Sequence, residues 1–186
     1  MKRRNSSTAY FITLQGRNCF TEIKDSGDRR EFASGAVRDI GEGKGRCDLL
    51  PLDVVADYLR FIPSEVYKGL TPLDCIQLFM TPPHDGSSRE YIYYALNMFC
   101  KYNDWSVETM LLEVSKHFEA GCAKYGERNW EKGIPTHCYI DSAVRHYLKW
   151  RRLDEDEPHD RAFCWNLLCL LWTMENKPEC NDLWSE

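Results

Sequence analysis

The stretch that decides the fold is Pro158–Met174, PHDRAFCWNLLCLLWTM. From Ala162 onward it is apolar nearly all round, the pattern of a helix enclosed by the rest of the protein. Pro158 suits the first turn of such a helix, where its missing N–H costs nothing. A central buried helix needs others around it, and the flanking sequence supplies them. Upstream, Val107, Met110, Leu111, Val114, Phe118 and Cys122 follow the i, i+3, i+4, i+7 spacing of an amphipathic helix over about Ser106–Lys124. Ser106 is a suitable N-cap and Gly126 a suitable stop. A further helix is expected over about Ile140–Arg151. Shorter ones are expected over Asp53–Phe61, Leu73–Phe79 and Glu90–Lys101, between the breakers at Pro63 and in TPPHDGSSRE. Residues 24–48 read as a Gly-rich, charged loop, and Tyr10–Leu14 as a short strand. The expected fold is therefore an all-α bundle with an irregular N-terminal extension.

The composition is that of a folded chain. Its 186 residues are 43% hydrophobic and 28% charged, which excludes a disordered or collagen-like protein. A chain of this size buries roughly 70% of its unfolded surface and needs no disulfide or structural metal. No apolar run reaches the ~20 residues of a membrane span. The N-terminus lacks a convincing secretory signal, so a cytoplasmic protein with no membrane partner is expected. The nine cysteines show no C-x-x-C pair or zinc-finger spacing and read as free thiols. The net charge of −5 is unevenly spread: residues 1–46 carry ten Lys/Arg against six Asp/Glu, and the remainder fourteen against twenty-three.

The acids cluster. With Val114 at the centre of the buried stripe, Glu113, His117 and Lys124 fall on one flank of their helix and Glu119 on the other. Asp154–Asp160 adds five carboxylates and His159 at the start of the central helix. Helix-dipole capping accounts for one or two of these acids. The remainder need solvent or cations, and oxygen ligands of this kind suit Mg²⁺ or Mn²⁺. Glu157 and Asp160 form an E-x-x-D pair.

The segment EVSKHFEAGCAKYGERNWEKGIPTHCYIDSAVRHYLKW, followed by DEDEPHDRAFCWNLL, resembles the phage and bacterial dATP/dGTP diphosphohydrolase family. That family is related to the all-α MazG-like nucleoside triphosphate pyrophosphohydrolases. The upstream TEIKDSGDRREFASGAVRDIGEGKGRCDLLP looks like the same family's N-terminal signature. The resemblance covers residues 20–51 and 111–172. It implies a single MazG-like domain over 1–186, with an extension and basic Gly-rich loop at 1–50, a helical insertion at 52–106 and core helices at 107–176. One departure concerns the first acidic motif, where Lys116 and His117 stand in place of a further acid.

The resemblance implies hydrolysis of a nucleoside triphosphate, dATP or dGTP, to monophosphate and pyrophosphate in the cytoplasm (the host's, for a phage protein). Mg²⁺, or Mn²⁺, would polarise the phosphates and lower the pKa of bound water. The expected metal ligands are Glu113, Glu157 and Asp160, joined by Asp156 and His117, with Glu119 in reserve. Glu113, His146 and His159 are candidates for proton transfer, and both histidines also read as hydrogen-bonded structural residues. The candidates for binding phosphate are Arg38, Lys44, Arg46, Lys124 and Arg145. Lys44 and Arg46 lie in GEGKGR, which is not a Walker loop and reads equally as a solvated turn. Asn129, Trp130 and Asn166 are candidates for base contacts, while Trp165 and Trp172 read as core. The family relationship implies a homo-oligomer, dimer or tetramer, and nothing in the chain resembles a nucleic-acid module. A non-catalytic nucleotide-sequestering protein is the alternative.

Overall fold

The computed structural model describes residues 28–64, 67, 69–82 and 88–184. The described residues divide into two compact units, 28–40 and 41–184. The first contains a hairpin of β1 (Arg29–Glu31) and β2 (Val37–Asp39), antiparallel with Arg30 opposite Arg38. Its turn closes through the Gly35 N–H donating to the Phe32 carbonyl at 2.8 Å, with Gly35 at φ +80°. Residues 24–48 were expected to be loop alone. The signal for the hairpin is the short FASG turn, which needs a residue with positive φ at its fourth position. The strand expected at Tyr10–Leu14 lies outside the described residues.

Among its described residues the second unit contains six α-helices: α1 (Leu52–Arg60), α2 (Pro72–Phe79), α3 (Ser88–Tyr102), α4 (Val107–Tyr125), α5 (Thr136–Arg152) and α6 (His159–Asn176). The fold is all-α, as the periodicity predicts. Local chemistry sets the ends. Thr71 and Asp74 form a reciprocal capping box at α2, with Pro72 inside the first turn. Ser106 Oγ accepts the Thr109 N–H at α4, and Gly126 ends that helix at φ +89°. Lys149, Arg151 and Arg152 occupy the last turn of α5, where the helix dipole favours cations. Leu153 then reverses the chain at φ +65° with its side chain 82% exposed. Helix α5 starts at Thr136, a turn before the expected Ile140, because Pro135 and the Asp182 carboxylate fix its first residues. Asp182 Oδ1 accepts both the His137 N–H and the Thr136 hydroxyl, each at 2.9 Å.

Helix α6 is the centre. Ala162, Phe163, Cys164 and the run Leu167–Leu171 are at most 2% exposed, enclosed by α1, α3, α4 and α5. Residues 52–106 form α1–α3 and share this core: Phe99 meets Phe163 with ring centroids 4.4 Å apart, and Val54, Phe79 and Leu96 are fully buried. Each large side chain packed this way contributes about 2–5 kcal/mol against truncation to Ala. The described cysteines are all free, and no described helix is long and apolar enough to cross a membrane.

Candidate functional site

The two faces of α4 carry different chemistry. Ser115 and Glu119 are one turn apart on one face. The Glu119 carboxylate accepts the N–H groups of Gly43 (3.0 Å) and Gly45 (2.9 Å), and the Ser115 carbonyl accepts the Arg46 N–H at 3.0 Å. The Gly-rich loop is thereby fastened to the helix. Gly45 is at φ +88°, and a Cβ there would overlap Ser115 Oγ. These loop amides, which a phosphate would need, are bound by a carboxylate instead. Arg46 forms a bidentate pair with Asp48 and a second ion pair with Glu127. Neither Lys44 nor Arg46 lines the clefts on the other face.

That other face presents His117 and Gly121 to open space. A cavity of about 350 Å³ lies between α4, the Arg128–Trp130 turn, α5 and α6. Its walls are aromatic: Phe118, Tyr125, Trp130, Trp165 and His117. Its polar and charged groups are Arg128, Asn129, Ser142, Asn166, His146 and Glu157. A second cleft of about 300 Å³ shares His117, Gly121, Tyr125 and Glu157 with the first and adds Lys116, Lys124 and Arg161. An aromatic pocket thus adjoins a cationic one, with Glu157 in both linings.

The acidic segment between α5 and α6 is largely neutralised from within. Arg152 pairs with Asp154, donating from Nε at 2.7 Å. Asp156 accepts from Lys149 Nζ at 2.6 Å and meets His159 Nε2 at 2.8 Å, and these two bonds draw its pKa down to about 2. Asp160 accepts the Arg161 N–H at 2.7 Å. Glu113 accepts from Lys116 Nζ at 2.5 Å and from Arg161 at 2.9 and 2.6 Å, and Lys116, then Arg161, hold its carboxyl below the usual range. Of the expected ligands Glu113, His117, Asp156, Glu157 and Asp160, Glu113 and Asp156 carry basic partners from the chain itself, while His117 and Glu157 line both clefts.

What does converge is His146, Glu157 and His159. The two Nδ1 atoms lie 3.0 Å apart, and Glu157 Oε1 lies 3.5 Å from His146 Nδ1 and 3.6 Å from His159 Nδ1. The His159 side chain is only 1% exposed. Burial holds the imidazoles of His146 and His117 below their usual range. His137, Asp182 and Cys138 form a separate hydrogen-bonded chain at the start of α5.

The remaining sequence candidates divide. Lys124 lines the cationic cleft and lies over the Tyr125 ring. Asn129, Trp130 and Asn166 line the aromatic one. Trp130 is 95% buried between Phe118 and Trp172, and its indole N–H has no partner. Asn166 donates to the Ala162 carbonyl at 2.8 Å. Arg145 pairs with Asp141 and lines neither cleft. Arg38 belongs to the hairpin unit. Arg161 and Trp165 were missed. Arg161 follows the acidic run and reads as one more surface cation. Trp165 was read as core because its helix is apolar all round, yet it is only partly buried and walls the cleft.

No curated protein and no solved structure matches the chain. A family model described as "dATP/dGTP diphosphohydrolase, N-terminal" matches residues 101–183, and the upstream segment 20–51 lies outside that match. Those residues carry α4, α5, α6 and nearly all of the lining of both clefts, and over them the chain is similar to the dATP/dGTP diphosphohydrolase N-terminal family.

Proposed function

We propose that the chain hydrolyses a deoxynucleoside triphosphate, dATP or dGTP, to the monophosphate and pyrophosphate. The observation that carries this reading is the pair of joined clefts. A purine fits an aromatic slot with amide and hydroxyl groups at its edges. A triphosphate fits the adjoining Lys116, Lys124 and Arg161, whose charges also oppose the charge developing on the leaving pyrophosphate. Glu157, the carboxylate that lines both clefts, is common to the base and phosphate positions, and its carboxylate oxygen can accept a proton from an attacking water. Dependence on a divalent cation is part of the proposal.

Pyrophosphate release from purified protein, across a nucleotide panel with Mg²⁺ or Mn²⁺ and with product identification, tests it. Monophosphate and pyrophosphate from dATP or dGTP are expected, and no release from any nucleotide overturns it. The engagement of Glu113 by Lys116 and Arg161 favours one other reading, a protein that binds the nucleotide without turnover. Calorimetric binding with no product would establish that reading. We also propose a homo-oligomer, supported by the exposed Leu52, Leu59 and Ile62 on and beside α1. Light scattering checks it, and a monomer at all concentrations refutes it.

A further inference from the structure

We propose that His146, His159 and Glu157 form a three-ligand site for a borderline transition-metal dication of the zinc and cobalt class, opening onto the junction of the two clefts. A tetrahedral ion with bonds of about 2.0–2.1 Å sets its ligand atoms about 3.3 Å apart. The three separations here, 3.0, 3.5 and 3.6 Å, straddle that value. A hydrogen bond between the two imidazoles accounts for the first distance only. Glu157 Oε1 is too far from both nitrogens for a good hydrogen bond, yet it faces both.

The surroundings fix the donors. His159 Nε2 donates to Asp156 Oδ1 at 2.8 Å. That bond places the proton on Nε2 and leaves the Nδ1 lone pair directed at the cluster, the carboxylate–histidine arrangement that orients metal ligands. Asp156 is held in turn by Lys149. His146 and Glu157 both line the 350 Å³ cavity, so a fourth coordination position would face the cleft, as in catalytic rather than structural sites. Two imidazoles and one carboxylate select a softer ion than Mg²⁺. A neighbouring group, Asp154, Asp156 and His159, also brings three ligand atoms within 4.8 Å of one another, but its acids are already paired with Arg152 and Lys149. Binding of the ion stands on this geometry alone; its use in hydrolysis rests on the function proposed above.

The test is calorimetry of the full chain with Zn²⁺, Co²⁺ and Mg²⁺, together with the visible spectrum of the Co²⁺ form. One Co²⁺ or Zn²⁺ per chain is expected, bound at least tenfold more tightly than Mg²⁺, with an intense tetrahedral cobalt spectrum. Glu157→Gln, at a half-exposed position, and His146→Asn should each weaken binding at least tenfold while helical content is retained. Binding unchanged in both variants, no preference over Mg²⁺, or a thiolate-to-cobalt charge-transfer band placing the ion on cysteines would each overturn the site. Metal binding without hydrolysis of any nucleotide would overturn the proposed function and leave the site standing. Hydrolysis with Mg²⁺ and no transition-metal binding would do the reverse.

Discussion

The two faces of α4 make opposite use of similar residues. On one, Glu119 is consumed by two loop amides, and Gly45 fits tightly against Ser115. On the other, His117 and Gly121 border open space. A carboxylate whose acceptors are filled by the fold stabilises the fold. A glycine with nothing near it leaves room for a ligand. Acidic residues at regular spacing therefore say little about function until their partners are known.

The sharpest way to break this contrast is Gly45→Ala. A Cβ would overlap Ser115 Oγ on a backbone at φ +88°, so a loss of about 3 kcal/mol is expected in chemical denaturation. Nucleotide binding by the folded fraction should be nearly unchanged. The mirror experiment is Lys124→Ala on the cleft face. Its side chain is solvated, so stability should hold, while KM for the triphosphate rises about tenfold, or about 1.4 kcal/mol. Equal effects on stability and KM in either variant would erase the distinction.

Two smaller effects probe the cleft face further. Nothing lies within 4 Å of a Cβ built at Gly121, so Gly121→Ala should stabilise α4 by about 1 kcal/mol while narrowing both clefts. Thermal melting and nucleotide affinity should move in opposite directions. For His117 the folded pKa is depressed, chiefly by burial and then by His146 and Arg161, against Glu157 and Asp160, which raise it. Its contribution to stability is thus fully present above the unfolded value of about 6.5 and is lost as pH falls through the lower folded value. Denaturation midpoints should drop between pH 7.5 and 5, and His117→Gln should flatten that slope. An equal slope in the variant would show that other groups cause it.

The helices were legible because each repeats its signal many times. Val107 to Cys122 and Ala162 to Met174 declare amphipathic and enclosed helices by period alone. The joining of Glu157 to His159 was partly legible, since both lie in one acidic run. Arg161 on Glu113 and Gly43 on Glu119 were not, because 48 and 76 residues separate the partners and no local pattern encodes such pairings. Trp165 was misread for a related reason. Periodicity reports that a side chain leaves water, not whether the space beside it is filled.

Leu153 has a consequence for redesign. It holds φ +65° while 82% exposed, so a branched side chain carries a left-handed conformation with little packing in return. The turn it makes launches the segment that carries Glu157 and His159. Leu153→Gly should therefore raise stability by somewhat less than about 1 kcal/mol, read as a higher melting temperature. The rim of the site thus contains slack that an engineer could take up without touching either cleft.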